Sequence, residues 1–570
     1  MILASQGQIR RYTELGCWGE RTLLDDFRDH VRHTPERTAV VDPPNKEQLM
    51  GLAPERVSYK ALHRAVEGVA TALRAAGLEK DDVVLAQIPN SWELAMLYLA
   101  VARAGGVLSP VPVQWRSREL AYVARLTRAR AFVTVESHRG FDHLAQARAL
   151  AEQVPSLRQV LSVAEIRRMA RETPDPGLDR IRVDANDVFT ICWTSGTEAQ
   201  PKGCPLSHNN WRCQASLAAS AGLRPGDVLL TAGPLVNMGA LGTVYAPWLV
   251  LGGTMVLHHP FDPALLLRQM VEEKIHYTLL VPAVVNLILK HPAADSFDLG
   301  GIRSITVGSA PPSLWAMREF KRRWDIDIGN IWGQNEGTGL VSTSGDVPDM
   351  EVRVDHFPRY GVKGRTWASP VTRFVETRVV DEQDRELVQD GAVGELLYRG
   401  PNVMPGYFNR PDLNEQAFDE EGFFRTGDLF RIRGEHYLSF VDRKKDIIIR
   451  GGMNISAQEV ENLILAHPDV QDAAVVGMPD QDLGERCCAY VVPRAGARIR
   501  LEDLTSFMRD QGVAVYKLPE RLELVDQIPR NPVGKVLKAR LREDIRAKLA
   551  QSVEGNRADP REENSDTKET

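Results

Sequence analysis

From Thr38 to Arg323 the chain alternates short apolar runs with longer amphipathic stretches, and no other feature restricts its fold as much. The runs Thr38–Asp42, Asp82–Gln87, Ala131–Val135, Val188–Cys192, Val228–Leu230, Thr254–Leu257, Tyr277–Val281 and Ile302–Val307 read as strands. Around them, Leu23–His33, Tyr59–Ala76, Ser91–Ala104, Arg118–Arg128, Ser207–Ala221, Ala240–Leu251, Pro263–Glu273, Pro282–Leu289 and Pro312–Arg323 have helical spacing. Such alternation predicts a largely parallel sheet with helices on both faces. Ligands of such sheets sit beyond the carboxyl ends of the strands, where the glycine-rich turns of this chain fall.

At 570 residues the chain is too long for a single core, so two or more domains are expected. From about 361 to 440 the pattern shifts to short alternating strands with Gly and Pro turns, a smaller β-rich subdomain. Asp442-Arg443-Lys444-Lys445-Asp446 carries no core-forming residue and reads as a linker where a hinge can absorb dihedral change. Beyond it, strands Ile447–Ile449, Ala473–Val476 and Cys488–Val492 alternate with helices Ala457–Ala466, Leu501–Gln511 and Lys535–Leu549, enough for a separate α+β domain. The expected division is 1–441, 442–550, and a polar tail over 551–570 too poor in apolar residues to fold. The fold class expected is α/β, with a large N-terminal domain of mixed parallel sheets and a small mobile C-terminal domain.

A net charge of −6 gives no reason to expect nucleic acid as a partner. Cys17, Cys192, Cys204, Cys213, Cys487 and Cys488 show neither a CxxC nor paired spacing, so reduced thiols and a cytoplasmic location are expected. Arg10 and Arg11 precede any long apolar run, so no secretory signal is expected. From Val228 to Phe261 there is no Asp, Glu, Lys or Arg, a length that could span a bilayer. Glycines and prolines punctuate it, so it reads as buried core and no integral membrane association is expected.

Five segments carry chemistry. In Trp193-Thr194-Ser195-Gly196-Thr197-Glu198-Ala199-Gln200-Pro201-Lys202-Gly203, an apolar strand empties into hydroxyls, glycines and one lysine. Glycines let main-chain N–H groups approach a phosphate, hydroxyls donate to its oxygens, and Lys202 adds a mobile positive charge. The common G-x-x-x-x-G-K-[ST] loop is absent. Asn330-Ile331-Trp332-Gly333-Gln334-Asn335-Glu336-Gly337 places a carboxylate at a glycine-flanked turn, suited to the Mg²⁺ that accompanies nucleotide phosphates. Arg425-Thr426-Gly427-Asp428 puts an acid in a tight turn, suited to two ribose hydroxyls. The charged linker runs into Arg450-Gly451-Gly452-Met453-Asn454, and Pro529-Arg530-Asn531-Pro532-Val533-Gly534-Lys535 sets a lysine after a loop bounded by Pro and Gly. Each alone also reads as a surface turn.

Together, in this order, they resemble the AMP-forming acyl-CoA synthetase and adenylate-forming superfamily, from about Leu23 to Lys548. The resemblance implies an enzyme whose large domain binds ATP and a small-molecule carboxylic acid, and whose small domain swings between two half-reactions. It implies that Thr194, Ser195, Gly196, Thr197 and Lys202 bind phosphate. Gly308, Ser309, Ala310 and Pro311, with Asn330, Ile331, Trp332 and Gly333, would wall the adenine and acyl-adenylate, and Asn335 would bind the nucleotide beside them. Glu336 would hold Mg²⁺, Asp428 the ribose, and Arg443 would face the nucleotide. Lys445 would be the hinge, Gly451 and Gly452 would line the channel for the thiol of coenzyme A, and Lys535 would contact the carboxylate and α-phosphate. Lys535, Glu336 and Lys202 are thus the expected catalytic residues.

Departures bear on the substrate. Glu198-Ala199 stands where Thr-Gly is usual, and Asn335 replaces a usual Thr but can still donate to a phosphoryl oxygen. Asn237 stands where many acyl-CoA synthetases carry a His, reminiscent of enzymes that adenylate aryl acids. The expected pocket residues are Asn237, Met238, Gly333 and Gly337, with glycines at 333, 337 and 339 leaving room for a chain or ring. Segments Leu235–Leu241, Pro282–Asn286 and Gly333–Leu340 contain no Arg or Lys, which favours a medium-chain, alicyclic or aromatic acid. The alternative acceptor is the pantetheine of a carrier protein. A monomer or homodimer is expected.

Overall fold

The computed structural model describes every residue except 195–199, 452, 512, 532–534 and 558–570. It divides into two compact units, Met1–Thr426 with Arg431–Ser439, and Gly427–Phe430 with Phe440–Thr570.

The first unit contains two mixed sheets with helices, as the alternation predicts. One has eight strands in the order Gly339–Ser342, Asp327–Gly333, Ser304–Val307, Tyr277–Leu280, Val228–Thr231, Thr254–Leu257, Thr38–Val41, Arg56–Ser58. Its interior pairs are parallel and only the two edge pairs are antiparallel. The other has six, Lys202–Ser207, Val188–Thr194, Val107–Pro110, Val83–Gln87, Ala131–Thr134, Gln159–Ser162, parallel except for the first pair. Every residue of Val83–Gln87 is buried, as a strand covered on both faces requires. The helix Trp92–Arg103 is buried at every position, which explains why it carries almost no polar stripe.

Lys202–Ser207 is a correction to the sequence reading, which ran the phosphate-binding stretch straight into a helix. An extra antiparallel strand intervenes, and only then does Ser207 cap the helix His208–Ala219 by accepting from Asn210 N. Pro205 hid it, since proline is tolerated on the edge of this sheet and not in its centre. The uncharged stretch resolves into strand Val228–Thr231, consecutive helical pieces Met238–Ala240, Leu241–Tyr245 and Ala246–Leu251, and strand Thr254–Leu257. Among the described residues no helix is long and apolar enough to cross a membrane.

Residues 356–443 contribute a five-stranded sheet in the order His356–Pro358, Tyr437–Arg443, Phe424–Arg433, Val393–Arg399, Glu376–Val380. In the second unit, Val470–Asp480 and Gly484–Pro493 form a long antiparallel pair, joined by Ile448–Arg450, Met453–Ile455 and Arg521–Leu524. Ile448, Val475, Ala489 and Met508 are buried in its core. The strands Met453–Ile455 and Arg521–Leu524 were not expected: both are short and largely exposed or half-exposed, so they lack an apolar run. The last helix runs Lys538–Arg557, which corrects the reading of 551–557 as tail; 558–570 lie outside the described residues.

Candidate active site

Two hairpins of the first unit supply the site. In one, Val188–Thr194 pairs with Lys202–Ser207 so that Lys202 lies opposite Thr194. Ser195, Gly196 and Thr197, expected to bind phosphate, lie outside the described residues. In the other, Asp327–Gly333 pairs with Gly339–Ser342, and the turn between them presents Asn335 and Glu336.

That turn is bolted from outside. Gly337 N donates to Gln334 O at 3.2 Å, and Asn402 Nδ2 donates to Gly337 O at 2.6 Å. Gly337 has φ +95°, and a Cβ there would lie 2.1 Å from the Asn402 carbonyl oxygen. Only glycine fits. The other two glycines expected to leave room, Gly333 and Gly339, also lie close to a neighbour on the side where a Cβ would stand. A Cβ at Gly333 would sit 3.0 Å from Thr338 O, and one at Gly339 3.0 Å from Leu217 Cδ2. Each lets main chain and neighbour approach closely there.

Glu336 is buried and its Oε1 accepts from the Tyr407 hydroxyl at 2.8 Å. Its main-chain oxygen accepts from Met404 N at 2.9 Å. The Lys202 ammonium lies 5.1 Å from the centre of the Tyr407 ring, a cation–π contact. Tyr407 is held in turn: its N donates to Asn414 Oδ1 at 2.7 Å, and Asn414 Nδ2 returns to its carbonyl at 3.2 Å. Two residues far apart in sequence thus meet on a third that sequence reasoning missed. The available signal was the aromatic pair Tyr407-Phe408 after Gly406, in a loop of Pro, Gly and Asn. Among the described residues no cluster of three Asp, Glu, His or Cys side chains could hold a metal. A single carboxylate fits Mg²⁺ carried by nucleotide phosphates, which uses one or two protein carboxylates, and does not fit an all-protein cage.

Asn335, expected to donate to a phosphoryl oxygen, engages main chain: Oδ1 accepts from Met238 N and Nδ2 donates to Trp193 O, both at 2.8 Å. Asn237 Oδ1 caps the helical segment by accepting from Ala240 N at 3.3 Å. Gly308 N donates to Leu280 O at 3.1 Å, and the exposed Ser309 has φ +72°, a strained conformation for a residue with a Cβ. Ala310 follows it, half-buried. Trp332 and Gly333 close their strand against Leu340 and Gly339. Asn330 is buried and donates Nδ2 to Val354 O at 2.9 Å, which ties its strand to the end of the short helix Met350–Arg353.

Cys192 and Cys204 flank the first hairpin but are buried, and burial pushes both thiols up, Cys192 to about 12. Neither is a thiolate near neutrality, in keeping with a packing role.

In the second unit, Asp428 is buried and Arg443 Nε lies 3.5 Å from its Oδ1. Asp442 anchors the start of the next helix, accepting from Ser456 Oγ at 2.9 Å and Gln458 N at 3.0 Å. Lys535 is half-buried, with its N donating to Asn531 Oδ1 at 2.8 Å. Burial, and then the Arg443 guanidinium, push its ammonium down to about 7 against the opposing pull of Asp428. Lys445 is exposed in a short helical turn, with its carbonyl accepting from Arg542 at 3.1 Å. Gly451, φ +54°, donates N–H to Leu483 O at 2.7 Å; Gly452 lies outside the described residues.

A family model described as AMP-binding enzyme matches residues 27–408, and one described as AMP-binding enzyme C-terminal domain matches 459–535. The chain is 34% identical over 560 residues to the medium-chain fatty-acid–CoA ligase of Escherichia coli (strain K12), covering 95% of this chain and 94% of that protein. It is 31% identical over 548 residues to the 2,3-dihydroxybenzoate-AMP ligase of Bacillus subtilis (strain 168), covering 94% and 96%. Among solved structures it is similar to ATP-bound MatB from Rhodopseudomonas palustris, with a TM-score of 0.78, 29% identity, and 92% and 99% of the two chains covered.

Proposed function

The chain belongs to the AMP-binding enzyme family, and from that premise we propose that it activates an apolar carboxylic acid with ATP and transfers the acyl group to coenzyme A. The observation that supports this reading most directly is Glu336 and Lys202 meeting on Tyr407 beside the Thr194 strand end.

A carboxylate oxygen attacks the α-phosphorus of ATP. The bond from that phosphorus to the β-phosphate bridging oxygen breaks, leaving acyl-AMP and pyrophosphate. Such a step asks for positioning and charge neutralisation, with no nucleophilic side chain. Thr194 and Lys202 receive the departing pyrophosphate. Glu336, steadied by Tyr407, would hold Mg²⁺, which would neutralise phosphate charge when bound. Gly308, Ser309, Ala310 and Trp332 wall the nucleotide, Asp428 accepts from the ribose hydroxyls, and Arg443 faces the nucleotide. Lys535 brings the carboxylate and α-phosphate together. Rotation about Lys445 then withdraws it, and Gly451 and Gly452 leave space for the thiol. That thiol attacks the acyl carbon and AMP leaves.

The segment Leu235–Leu241 contributes Asn237 and Met238 to the acid pocket and carries no Arg or Lys, so the acid is medium-chain, alicyclic or aromatic and not a dicarboxylate. Similarity to both a fatty-acid–CoA ligase and an aryl-acid–AMP ligase keeps a carrier-protein pantetheine as the second acceptor. Acid-dependent exchange of labelled pyrophosphate into ATP, run over a panel of acids, tests the first half-reaction. Thioester formation with free coenzyme A against pantetheinylated carrier protein tests the second. Turnover of ATP only to ADP would reject the whole reading.

A further inference from the structure

Asn335 occupies a junction that its neighbours in the chain do not announce. Its Oδ1 accepts the Met238 N–H at 2.8 Å, and Met238 opens the helical segment of the acid pocket. Its Nδ2 donates to Trp193 O at 2.8 Å, one residue before Thr194, which faces Lys202 across the hairpin. Glu336 follows it directly. A single half-buried amide therefore ties together the acid side, the phosphate side and the metal-side carboxylate.

The segment it grips is fixed upstream. Asn90 Oδ1 accepts from Leu235 N at 2.8 Å, Asn90 Nδ2 donates to Gly233 O at 2.8 Å, and the Tyr98 hydroxyl donates to Leu235 O at 2.6 Å. Residues 233–235 cannot easily yield, so a push on Met238 passes into the Asn335 amide. The task requires a donor and an acceptor on separate atoms of one rigid plane, which an amide has and a hydroxyl lacks.

Resting on the adenylating reading above, we infer that Asn335 is a positioning residue that couples acid binding to nucleotide binding. An acid seated against Met238 holds the Trp193 strand end, and with it Thr194 and Lys202, in the arrangement that receives phosphate. Acid and nucleotide then bind more tightly together than apart, and by linkage each helps the other equally.

The experiment titrates α,β-methylene-ATP with Mg²⁺ into the full chain by calorimetry, with and without saturating octanoate or benzoate, whichever supports pyrophosphate exchange. The wild type should bind the analogue about tenfold more tightly with the acid present. In Asn335→Ala that ratio should fall to within about twofold of unity. Asn335→Asp separates the two arms, since its carboxylate still accepts from Met238 N but cannot donate to Trp193 O. Its ratio should fall as far, and it carries the test if the Ala variant does not fold. A wild-type ratio retained in these variants overturns the inference while leaving the enzyme assignment intact. A wild type without acid-dependent exchange overturns the assignment itself.

Discussion

The Tyr407 hydroxyl donates to Glu336 Oε1 at 2.8 Å while the face of the same ring receives the Lys202 ammonium at 5.1 Å. One side chain thereby sets the separation of an acid and a base that stand far apart in sequence. Tyr407→Phe keeps the ring and removes a hydrogen bond to a charged group, worth about 1.5–3 kcal/mol. The kcat/KM for pyrophosphate exchange should fall roughly 10- to 100-fold, with a rise in the Mg²⁺ concentration needed for half-maximal rate. Tyr407→Leu also removes the cation–π contact and should be worse. An unchanged Mg²⁺ requirement in both would detach Tyr407 from Glu336.

Lys535→Ala should slow adenylation by about 10²–10³, the usual loss for one electrostatic contact to a developing anion. Thioester formation from supplied acyl-AMP should survive. Equal loss in both half-reactions would reject the assigned role.

The depressed Lys535 ammonium, down to about 7, gives a signed pH dependence. Below that value the side chain is charged and can neutralise the two anions; above it the proton is lost. The kcat/KM for adenylation in the free enzyme should therefore decline as pH rises through about 7, a limb absent in Lys535→Arg, whose guanidinium stays charged.

Lys46 is 1% exposed and its ammonium donates to Asp42 at 2.7 Å and to both oxygens of Glu93 at 2.8 Å. Lys46→Met would leave two buried carboxylates without this cation and should cost about 3–5 kcal/mol in urea denaturation. Burial, and then Glu93, raise the Asp42 carboxyl to about 6 against the pull of Lys46. Between about 4 and that value the folded state holds a proton the unfolded chain has lost. Stability from Asp42 is thus fullest at low pH and fades as pH rises through about 6, a slope that Asp42→Asn should remove.

Gly337→Ala combines a Cβ 2.1 Å from Asn402 O with φ +95°. Overpacking and backbone strain together predict a loss of about 2–6 kcal/mol. Thermal melts should show it, and pyrophosphate exchange should fall with it because Glu336 is the preceding residue.

The α/β class and the buried strands such as Val83–Gln87 were legible because periodicity is a local property: a run of apolar residues reports its own burial. The order of Lys202, Glu336, Asp428 and Lys535 was legible as a resemblance for the same reason, being written along one dimension. The strand Lys202–Ser207 was not, since an edge strand containing proline lacks the apolar run that marks an interior one. The glycines at 333, 337 and 339 read as room for a chain or ring, and the close approach of the Asn402 carbonyl to Gly337 and of the Leu217 side chain to Gly339 was not written in the sequence.

What the sequence by itself determined is the α/β class, most of the buried strands and helices, and the order of the motifs that carry the family resemblance. What the tertiary structure decided is which of them touch: Tyr407 between Glu336 and Lys202, Asn335 between Trp193 and Met238, and Asn330 against Val354. The physical reason is that a hydrogen bond has a reach of about 3 Å and a narrow range of angles, while its partners here lie tens to hundreds of residues apart. Chain order cannot encode such contacts, and close packing of the finished fold can.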